Sequence, residues 1–454
     1  MALFNIINLH EIENRLRLEA EFYRPDYVEC HKTIKSIPYL KLIRCSQKIT
    51  DGTHFTPKYT NIGVKFYSAV NVKEGYFAFD ESYKFISQSE HQFIHTRCPV
   101  QSGDVLIRKV GVGPRWSCVV PDDLDEFSIF VSVALVRPKN GLLPEYLSTF
   151  INSRYGQIQL LRLNKGISQP DLHLEDIGEL LVPEVSHEEQ NIIAELVRNS
   201  QEKRETSKNL YLKAQHLLKS ELGLDNLNFQ KPVGYTARFS ELEQSRRSDP
   251  QHYQPRFTQL LGHLADFPSK RIRDIRSYNR RGLQPLYVLD GPINVVNSQH
   301  LGPQHIDYEG LQKTSEAAFA VSVEGHIQKN DLLIYTTGAY VGRTNVYLSN
   351  KPALASNHVN ILRLNPGIDT SYMALVFQSI IGQFQTQKHA RGSAQAELYP
   401  ADIDRFIVPL LDSPKQIAIG DLVRNSLEKK EESKRLLNQA KTRVEQLIEG
   451  AIRK

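Results

Sequence analysis

Arg271, Arg273, Arg276, Tyr278, Asn279, Arg280 and Arg281 fall within eleven residues. Five guanidinium groups beside a tyrosine and an asparagine suit a phosphate-and-base surface. Arg forks onto guanine or phosphate, and Asn pairs with adenine. The competing reading is a solvated basic strand edge. The first half of the chain offers another mix in Lys48-Ile49-Thr50-Asp51-Gly52-Thr53-His54-Phe55-Thr56-Pro57-Lys58-Tyr59. Its candidates for nucleic acid are Lys48, Thr50, Thr53, His54, Thr56, Lys58 and Tyr59. Arg108, Lys109, Arg115, Trp116 and Lys165 in the first half, and Tyr340, Arg343, His389 and Arg391 in the second, add basic and aromatic groups at roughly matched places.

Catalytic patterns are missing. There is no G-x-x-x-x-G-K-[ST] to cradle phosphates, no H-E-x-x-H and no G-x-S-x-G. The lone G-x-G at Gly111-Val112-Gly113 reads as a tight turn after a strand. No Pro-Pro dipeptide occurs, so the [DN]-P-P-[YF] loop of amino-methyltransferases is lacking. His54, His95, His187, His300 and His389 are scattered, and Cys30, Cys45, Cys98 and Cys118 show no C-x-x-C spacing. The cysteines read as reduced core thiols and not as a zinc site. A binding or scaffolding protein, with no catalytic, metal or cofactor site of its own, is the expectation.

Composition narrows the class. Of 454 residues, 40% are hydrophobic and 24% charged, as in an ordinary globular chain of two to four domains. The net charge of +5 permits a nucleic-acid partner without demanding one. Apolar runs are too short for a membrane span, and the first residues do not resemble a signal peptide, so a cytoplasmic protein is expected.

The elements that must position these residues come twice. Leu196-Val197-Arg198-Asn199-Ser200 returns 226 residues later as Leu422-Val423-Arg424-Asn425-Ser426. At the same offset Val182-Pro183 returns as Val408-Pro409, Gly166-x-x-Gln169 as Gly392-x-x-Gln395, Asp176-Ile177 as Asp402-Ile403, Tyr146 as Tyr372, and Gly156-Gln157 as Gly382-Gln383. The chain is a duplicated unit. Each unit opens with a β-rich part. Expected strands are Val64–Val70, Val105–Ile107, Ser128–Val136 and Leu180–Val182, then Leu286–Leu289, Ile293–Val296, Asp331–Tyr335 and Val359–Leu364. Helical spacing marks Glu145–Leu161 and Ser371–Gln387. A long helix closes each unit. Ser186 and Glu189 form a capping box for the first, and Ser413-Pro414 supplies an N-cap and first-turn proline for the second. The second helix carries a heptad stripe of Ile419, Val423, Ser426, Lys430, Ser433, Leu437, Ala440, Val444, Leu447 and Ala451. The first repeats it more weakly, and two such stripes most simply pack together.

This pattern resembles the specificity (S) subunits of type I restriction-modification systems over nearly the whole chain. The carrying residues are Lys48-Ile49-Thr50-Asp51-Gly52-Thr53-His54-x-Thr56-Pro57, Gly103-Asp104-Val105-Leu106-Ile107, Asn330-Asp331-Leu332-Leu333-Ile334, both Gly-x-x-Gln motifs, and Val-Pro before Glu188-Glu189-Gln190. The second helix departs by opening on Pro414-Lys415-Gln416, without the acidic residue. The resemblance implies an α+β fold with two β-rich target recognition domains in tandem repeat, joined by two long antiparallel coiled-coil helices. The expected divisions are an N-terminal helical segment 1–36, recognition domain 37–185, spacer helix 186–224, linker and helical segment 225–268, recognition domain 269–411 and spacer helix 412–454. It also implies a bipartite double-stranded DNA target. The partners would be two methyltransferase (M) subunits that bind S-adenosylmethionine, and two restriction (R) motor-nuclease subunits. Helices of about 50 Å would hold two half-sites about one DNA turn apart. The alternatives are the recognition subunit of a type II system with a fused nuclease-methyltransferase, a coiled-coil adaptor that binds protein and, third, an unrecognised nuclease that a metal-dependent cleavage assay would reveal. Salt separates the adaptor, because DNA binding through basic loops weakens steeply as salt rises.

Overall fold

A computed structural model describes residues 6–7, 19–122, 124–165, 170–229, 232–392 and 395–452. Gly166-x-x-Gln169 and most of the expected segment 1–36 before residue 19 lie outside the described residues. The fold is α+β. It divides into two compact units, Met1–Arg204 with Lys430–Lys454, and Glu205–Lys429. The division passes inside both long helices, so each unit holds a half of each.

Unit 1 contains β1 (Tyr39–Lys41), β2 (Ser46–Asp51), β3 (Tyr59–Thr60), β4 (Val64–Tyr67), β5 (Val72–Lys73), β6 (Tyr76–Phe77), β7 (Lys84–Ile86), β8 (Val105–Arg108), β9 (Ser117–Val119), β10 (Phe127–Ile129), β11 (Val133–Pro138) and β12 (Leu181–Pro183). One sheet runs β2-β11-β8-β9 and is antiparallel; a second runs β10-β4-β7-β3, with β10 and β4 parallel. Strand alternation gives the first sheet two buried faces. Val105, Ile107, Ala134 and Val136 pack with the helical residues Tyr146, Phe150, Ile193, Val197, Ala440 and Val444. Leu106, Cys118, Val133 and Leu135 pack with the rings of Tyr67, Phe77 and Phe127.

Unit 2 contains β13 (Ser269–Arg271), β14 (Arg276–Arg281), β15 (Ile293–Val296), β16 (Gln312–Thr314), β17 (His326–Ile327), β18 (Leu332–Tyr335), β19 (Thr344–Val346), β20 (Ala353–Ala355), β21 (Val359–Leu364) and β22 (Ile407–Pro409). Its first sheet, β14-β21-β18-β19, has the same order as in unit 1. Its second, β17-β20-β15-β16, keeps the parallel pair β20·β15 and places its extra edge strand on the opposite side from β3. The frame is therefore repeated and the sheet edges are not.

Hydrogen bonds explain the repeated residues. Arg137 forks onto buried Asp104 at 2.7 and 2.8 Å, and Arg363 forks onto buried Asp331 at the same distances. Tyr146 donates to Pro183 O and Tyr372 to Pro409 O. Gln159 satisfies both backbone groups of Leu181, and Gln385 does so for Ile407. Gln190 and Gln416 each accept from a backbone N–H, of Leu143 and Asp369, beside the start of a long helix. Gln416 thus keeps its role although the residue before it is not acidic.

Several expected elements differ in detail. Ser128–Val136 is two strands, β10 and β11, because Phe130–Ser132 turn between sheets. Leu286–Leu289 is not a strand. Its only bridge is Val288 to Lys313, and Leu286 and Leu289 stand in solvent with no sheet face to cover them. Each expected mid-unit helix is a pair, Pro144–Asn152 with Arg154–Leu163 and Thr370–Gln378 with Ile380–His389, broken at Ser153 and Ser379. Gly156 and Gly382 follow the breaks because a Cβ there would lie 2.2 Å from Phe150 O or Phe377 O.

The long helices span His187–Glu221 and Ser413–Ile452. Ser186 caps the first, accepting from Glu189 N at 3.3 Å. The second is capped one residue earlier than expected, by Asp412 accepting from Lys415 N at 3.0 Å. Gly420 does not interrupt it; the missing side chain admits Asp369, which pairs with Arg424 at 2.8 Å. In unit 1 the halves run antiparallel, with Glu189 on Arg443 and Ser200 on Ser433. In unit 2 Ser207 meets Ser426 and Glu221 meets Lys415. The repeated Leu-Val-Arg-Asn-Ser is now legible. Val197 and Val423 are core, Arg198 pairs with Glu145 and Arg424 with Asp369, and Ser200 and Ser426 bond across the helices. The stripe shifts at its ends: Leu222 and Ile448 are buried, while Ala451 is exposed. All four cysteines are free and buried, and burial pushes Cys30 and Cys98 up to about 12. No described helix is long and apolar enough to cross a membrane.

Candidate nucleic-acid interface

The Lys48–Tyr59 run divides at its midpoint. β2 ends on Asp51, whose carboxylate is 1% exposed and is met by Lys109 Nζ at 2.9 Å, Arg97 Nη2 at 2.5 Å and His54 Nε2 at 3.0 Å. Gly52 then passes hard against β10, where a Cβ would lie 2.0 Å from Ile129 O, and Thr53 N donates to that oxygen at 3.1 Å. Gly282 and Leu283 make the same approach to Ala355 O in unit 2. Thr50, Thr53 and Lys109 are buried and belong to this frame, and Lys48 is half-buried on β2. From His54 the chain emerges. Thr56, Lys58 and Tyr59 are exposed, and Lys84 Nζ stands 5.8 Å from the Tyr59 ring centroid.

The turn after β8 is built on Gly111 and Gly113, at φ of +99° and +97°, a left-handed conformation that side chains resist. Arg115 is a correction. It is wholly buried and donates to Asn164 Oδ1 from Nε at 3.0 Å and Nη2 at 2.9 Å, to Gly111 O at 2.5 Å and to Pro170 O at 3.0 Å. Burial pulls this guanidinium down to about 10. It braces two loops from inside the protein. Trp116 packs on the aromatic core, and Arg108 reaches back to Val110 O at 3.2 Å. Lys165 pairs with buried Asp176 at 2.7 Å.

Unit 2's arginine cluster divides: Arg271 and Arg273 are exposed, Arg273 with Asp274 at 3.5 Å, and the others turn toward partners in the fold. Arg276 forks onto Asp404 at 2.5 and 2.8 Å. Asn279 is buried, donates to Pro400 O and Asp404 Oδ1 at 2.8 Å each, and accepts from Asn360 at 2.7 Å, so it has no amide left for adenine. Arg281 pairs with Glu397 at 2.7 Å and lies 4.6 Å from the Tyr399 ring centroid. Arg280 is exposed but meets Glu324, and the Tyr278 hydroxyl donates to Glu324 O. Arg276 and Arg281 thus brace the frame, while Arg271, Arg273 and Arg280 stay exposed. Arg391 pairs with Asp402 at 3.0 Å, the counterpart of Lys165 on Asp176. His389 lies over Phe406, and burial, aided by His252 and Lys388, pulls it down to about 3. It is a neutral packing group. Tyr340 and Arg343 stay at the surface as a stacked pair, 3.6 Å from guanidinium to ring centroid, on the turn that matches Gly111–Pro114.

The open chemistry therefore sits on His54, Thr56, Lys58 and Tyr59 in unit 1 and on Arg271, Arg273, Arg280, Tyr340, Arg343 and Arg391 in unit 2. Residues beyond the candidates join it. Phe55 and Phe93 are 44% and 65% exposed with ring centroids 5.8 Å apart, and Lys65, Lys84 and Arg97 lie on the neighbouring strands and helix. Phe93 carries no repeat signature; only the outward face of its helix identifies it. No group of three or more His, Cys, Asp or Glu among the described residues could hold a metal.

No protein-family model matches the chain, and no curated protein sequence does. Solved structures do. A type I restriction-modification S subunit from M. genitalium is 13% identical with a TM-score of 0.47, over 91% of this chain and 94% of that one. An HsdS subunit from Thermoanaerobacter tengcongensis is 15% identical with a TM-score of 0.29, over 91% and 97%. A chain from a structure concerning assembly and conformational transition of the type I R-M system is 15% identical with a TM-score of 0.30, over 91% and 96%. With every TM-score below 0.5, these likenesses carry no functional weight alone.

Proposed function

We propose that this chain is the DNA-recognition subunit of a type I restriction-modification complex. The observation that carries the reading is the duplicated frame with divergent surfaces. The fork of Arg137 on Asp104 recurs as Arg363 on Asp331, and the Lys165–Asp176 pair recurs as Arg391–Asp402. Beside them, exposed Lys58 and Tyr59 have no like counterpart in unit 2, where Tyr340 and Arg343 occupy a different turn. Two readers built on one frame suit a bipartite target, each reading its own short half of double-stranded DNA. The paired long helices would keep the halves at a set spacing. Methyl transfer to adenine, with S-adenosylmethionine, and cleavage would belong to partner methyltransferase and restriction subunits. Such work takes place in the cytoplasm.

The test is a pull-down from the host, followed by long-read sequencing that detects modified adenine. A split motif that disappears when the gene is deleted supports the proposal, and a partner that fuses nuclease and methyltransferase would reassign it to a type II system. Methylation of DNA by the purified chain alone would refute it.

A further inference from the structure

The helix Gln88–Arg97 follows β7 and is capped by Ser87, which accepts from Glu90 N at 3.2 Å. It buries His91 and Ile94 and turns Gln88, Ser89, Gln92, Phe93 and Thr96 to solvent. These stand at i, i+1, i+4, i+5 and i+8, one continuous stripe. Arg97, at i+9, is also exposed and is the stripe's only charged member. Arg97, at its end, is turned to Asp51 and Gly52 O. Thr96 donates back to Phe93 O, and Ser89 meets Ser87. The amides of Gln88 and Gln92 have no protein partner among the described residues. Phe93 is 65% exposed and meets another exposed ring, Phe55, so it adds little to the core. A large exposed ring rimmed by polar groups marks a binding surface.

Charge says which kind. Lys58, Lys65 and Lys84 stand on this face beside Glu90 and Glu126, the latter meeting His91 at 3.3 Å, while Arg97 is held by Asp51. The loop 54–62 belongs to the same face, since β3 pairs with β7 and Phe55 meets Phe93. An α-helix fits the DNA major groove, where Gln can bond adenine through two contacts and Phe can meet the thymine methyl. We infer that this helix, flanked by Phe55, enters the major groove and reads A·T pairs in the half-site of unit 1. The inference rests on the proposed DNA recognition and adds the reading element and its base class. Unit 2 does not share it. The corresponding helix, Glu316–Val321, is six residues long and exposes Glu316, Ala317, Ala320 and Val321, with no amide.

The experiment selects bound duplexes from a random pool with the full chain and with Gln88→Ala, Gln92→Ala, Phe93→Ala and, as a control, Val321→Ala. Melting temperatures are measured alongside. The expected result is a split motif for the parent. The two glutamine variants lose about five- to a hundredfold of the preference at adenine positions of one half only. Phe93→Ala loses it at thymine, and Val321→Ala changes neither half. Unchanged base preferences in all three helix variants, with the parent still specific, overturn the inference and leave the proposed function standing. A parent chain with no base preference sinks both.

Discussion

Arg115 offers the sharpest test of whether the structure separates frame from reader. By sequence it belongs with the DNA-binding candidates, next to Trp116 and near Arg108. In the structure it is 0% exposed and gives four hydrogen bonds to three acceptors, Asn164 Oδ1, Gly111 O and Pro170 O. Arg115→Ala strips those acceptors of their donor and opens a guanidinium-sized void. A hydrogen bond to a charged group contributes about 1.5–3 kcal/mol, and an abandoned buried acceptor costs about 1–3 kcal/mol. Water entering the void returns part of this, so the net loss should be about 3–5 kcal/mol, near the upper end for single substitutions. In a unit of roughly 150–250 residues each kcal/mol lowers the melting midpoint by about 2–4 °C. Unit 1 should therefore melt roughly 6–20 °C lower by calorimetry, and Arg115→Lys, which keeps the charge without the fork, should recover only part. A variant that melts with the parent and loses only DNA affinity would refute the reasoning, because that is how a surface contact behaves.

Other outcomes follow from the same geometry. Lys109→Ala removes a buried partner of Asp51 and should destabilise unit 1 by about 3–5 kcal/mol in urea unfolding. Lys84→Ala, at the surface, should leave the urea midpoint in place and flatten the dependence of log K on log salt by about one unit if Lys84 meets a phosphate. Gln385→Leu leaves the N–H and carbonyl of Ile407 unpaired and should cost about 2–4 kcal/mol; Gln159→Leu should cost unit 1 a similar amount, and a free exchange at either site would contradict the shared frame. Acid should destabilise the protein through two half-buried histidines. His389 and His31 are each pulled down to about 3 from 6.5, by burial first and then by nearby cations. Between pH 6.5 and 3 the unfolded chain binds these protons and the folded one does not, so stability is complete above 6.5 and falls as pH falls, by up to about 1.4 kcal/mol per pH unit for each. His389→Leu should flatten the acid limb for unit 2, and a limb as steep as the parent's would count against the assignment.

The frame could be read from sequence because its residues recur. A buried fork such as Arg137 on Asp104 tolerates no substitute that leaves the carboxylate uncompensated, so the Asp returns at Asp331 and the Arg at Arg363. Gly156 and Gly382 recur because backbone oxygens occupy the place of a side chain. The binding surface was harder to see. Residue type alone ranks Asn279 and Arg115 as good base or phosphate contacts. Their hydrogen bonds are spent inside the protein, on Asp404 and Asn164, partners 125 and 49 residues away in sequence. Only the tertiary structure shows that. The helix Gln88–Arg97 was hidden for the opposite reason. Its apolar content is low and its outward face has no repeat partner, so neither periodicity nor duplication marked it.

The division of labour between these residues has a physical basis. A side chain that holds the frame must be desolvated and saturated, and saturation leaves it nothing to offer a base. A reader must keep unsatisfied donors or an uncovered ring in water, at a cost in stability that folding alone would not retain. Asp51 and Gln92 lie on the same unit, the first holding the frame and the second, under the inference above, a reader. Asp51 draws three donors inward and fixes the path of the loop. Gln92 spends nothing on the fold and stands beside Phe93, which is 65% exposed. Duplication copies the first kind faithfully, because each copy must fold, and under the proposed function it leaves the second free to change. That is why the two units agree at Asp104 and Asp331 and disagree at Lys58, Phe93 and Tyr340. Exchanging surface residues between the units should accordingly alter base preference at little cost in stability, whereas exchanging frame residues across the few places where they differ, such as Asp51 for Arg281, should unfold the recipient, since Asp51 needs Lys109 and Arg281 needs Glu397.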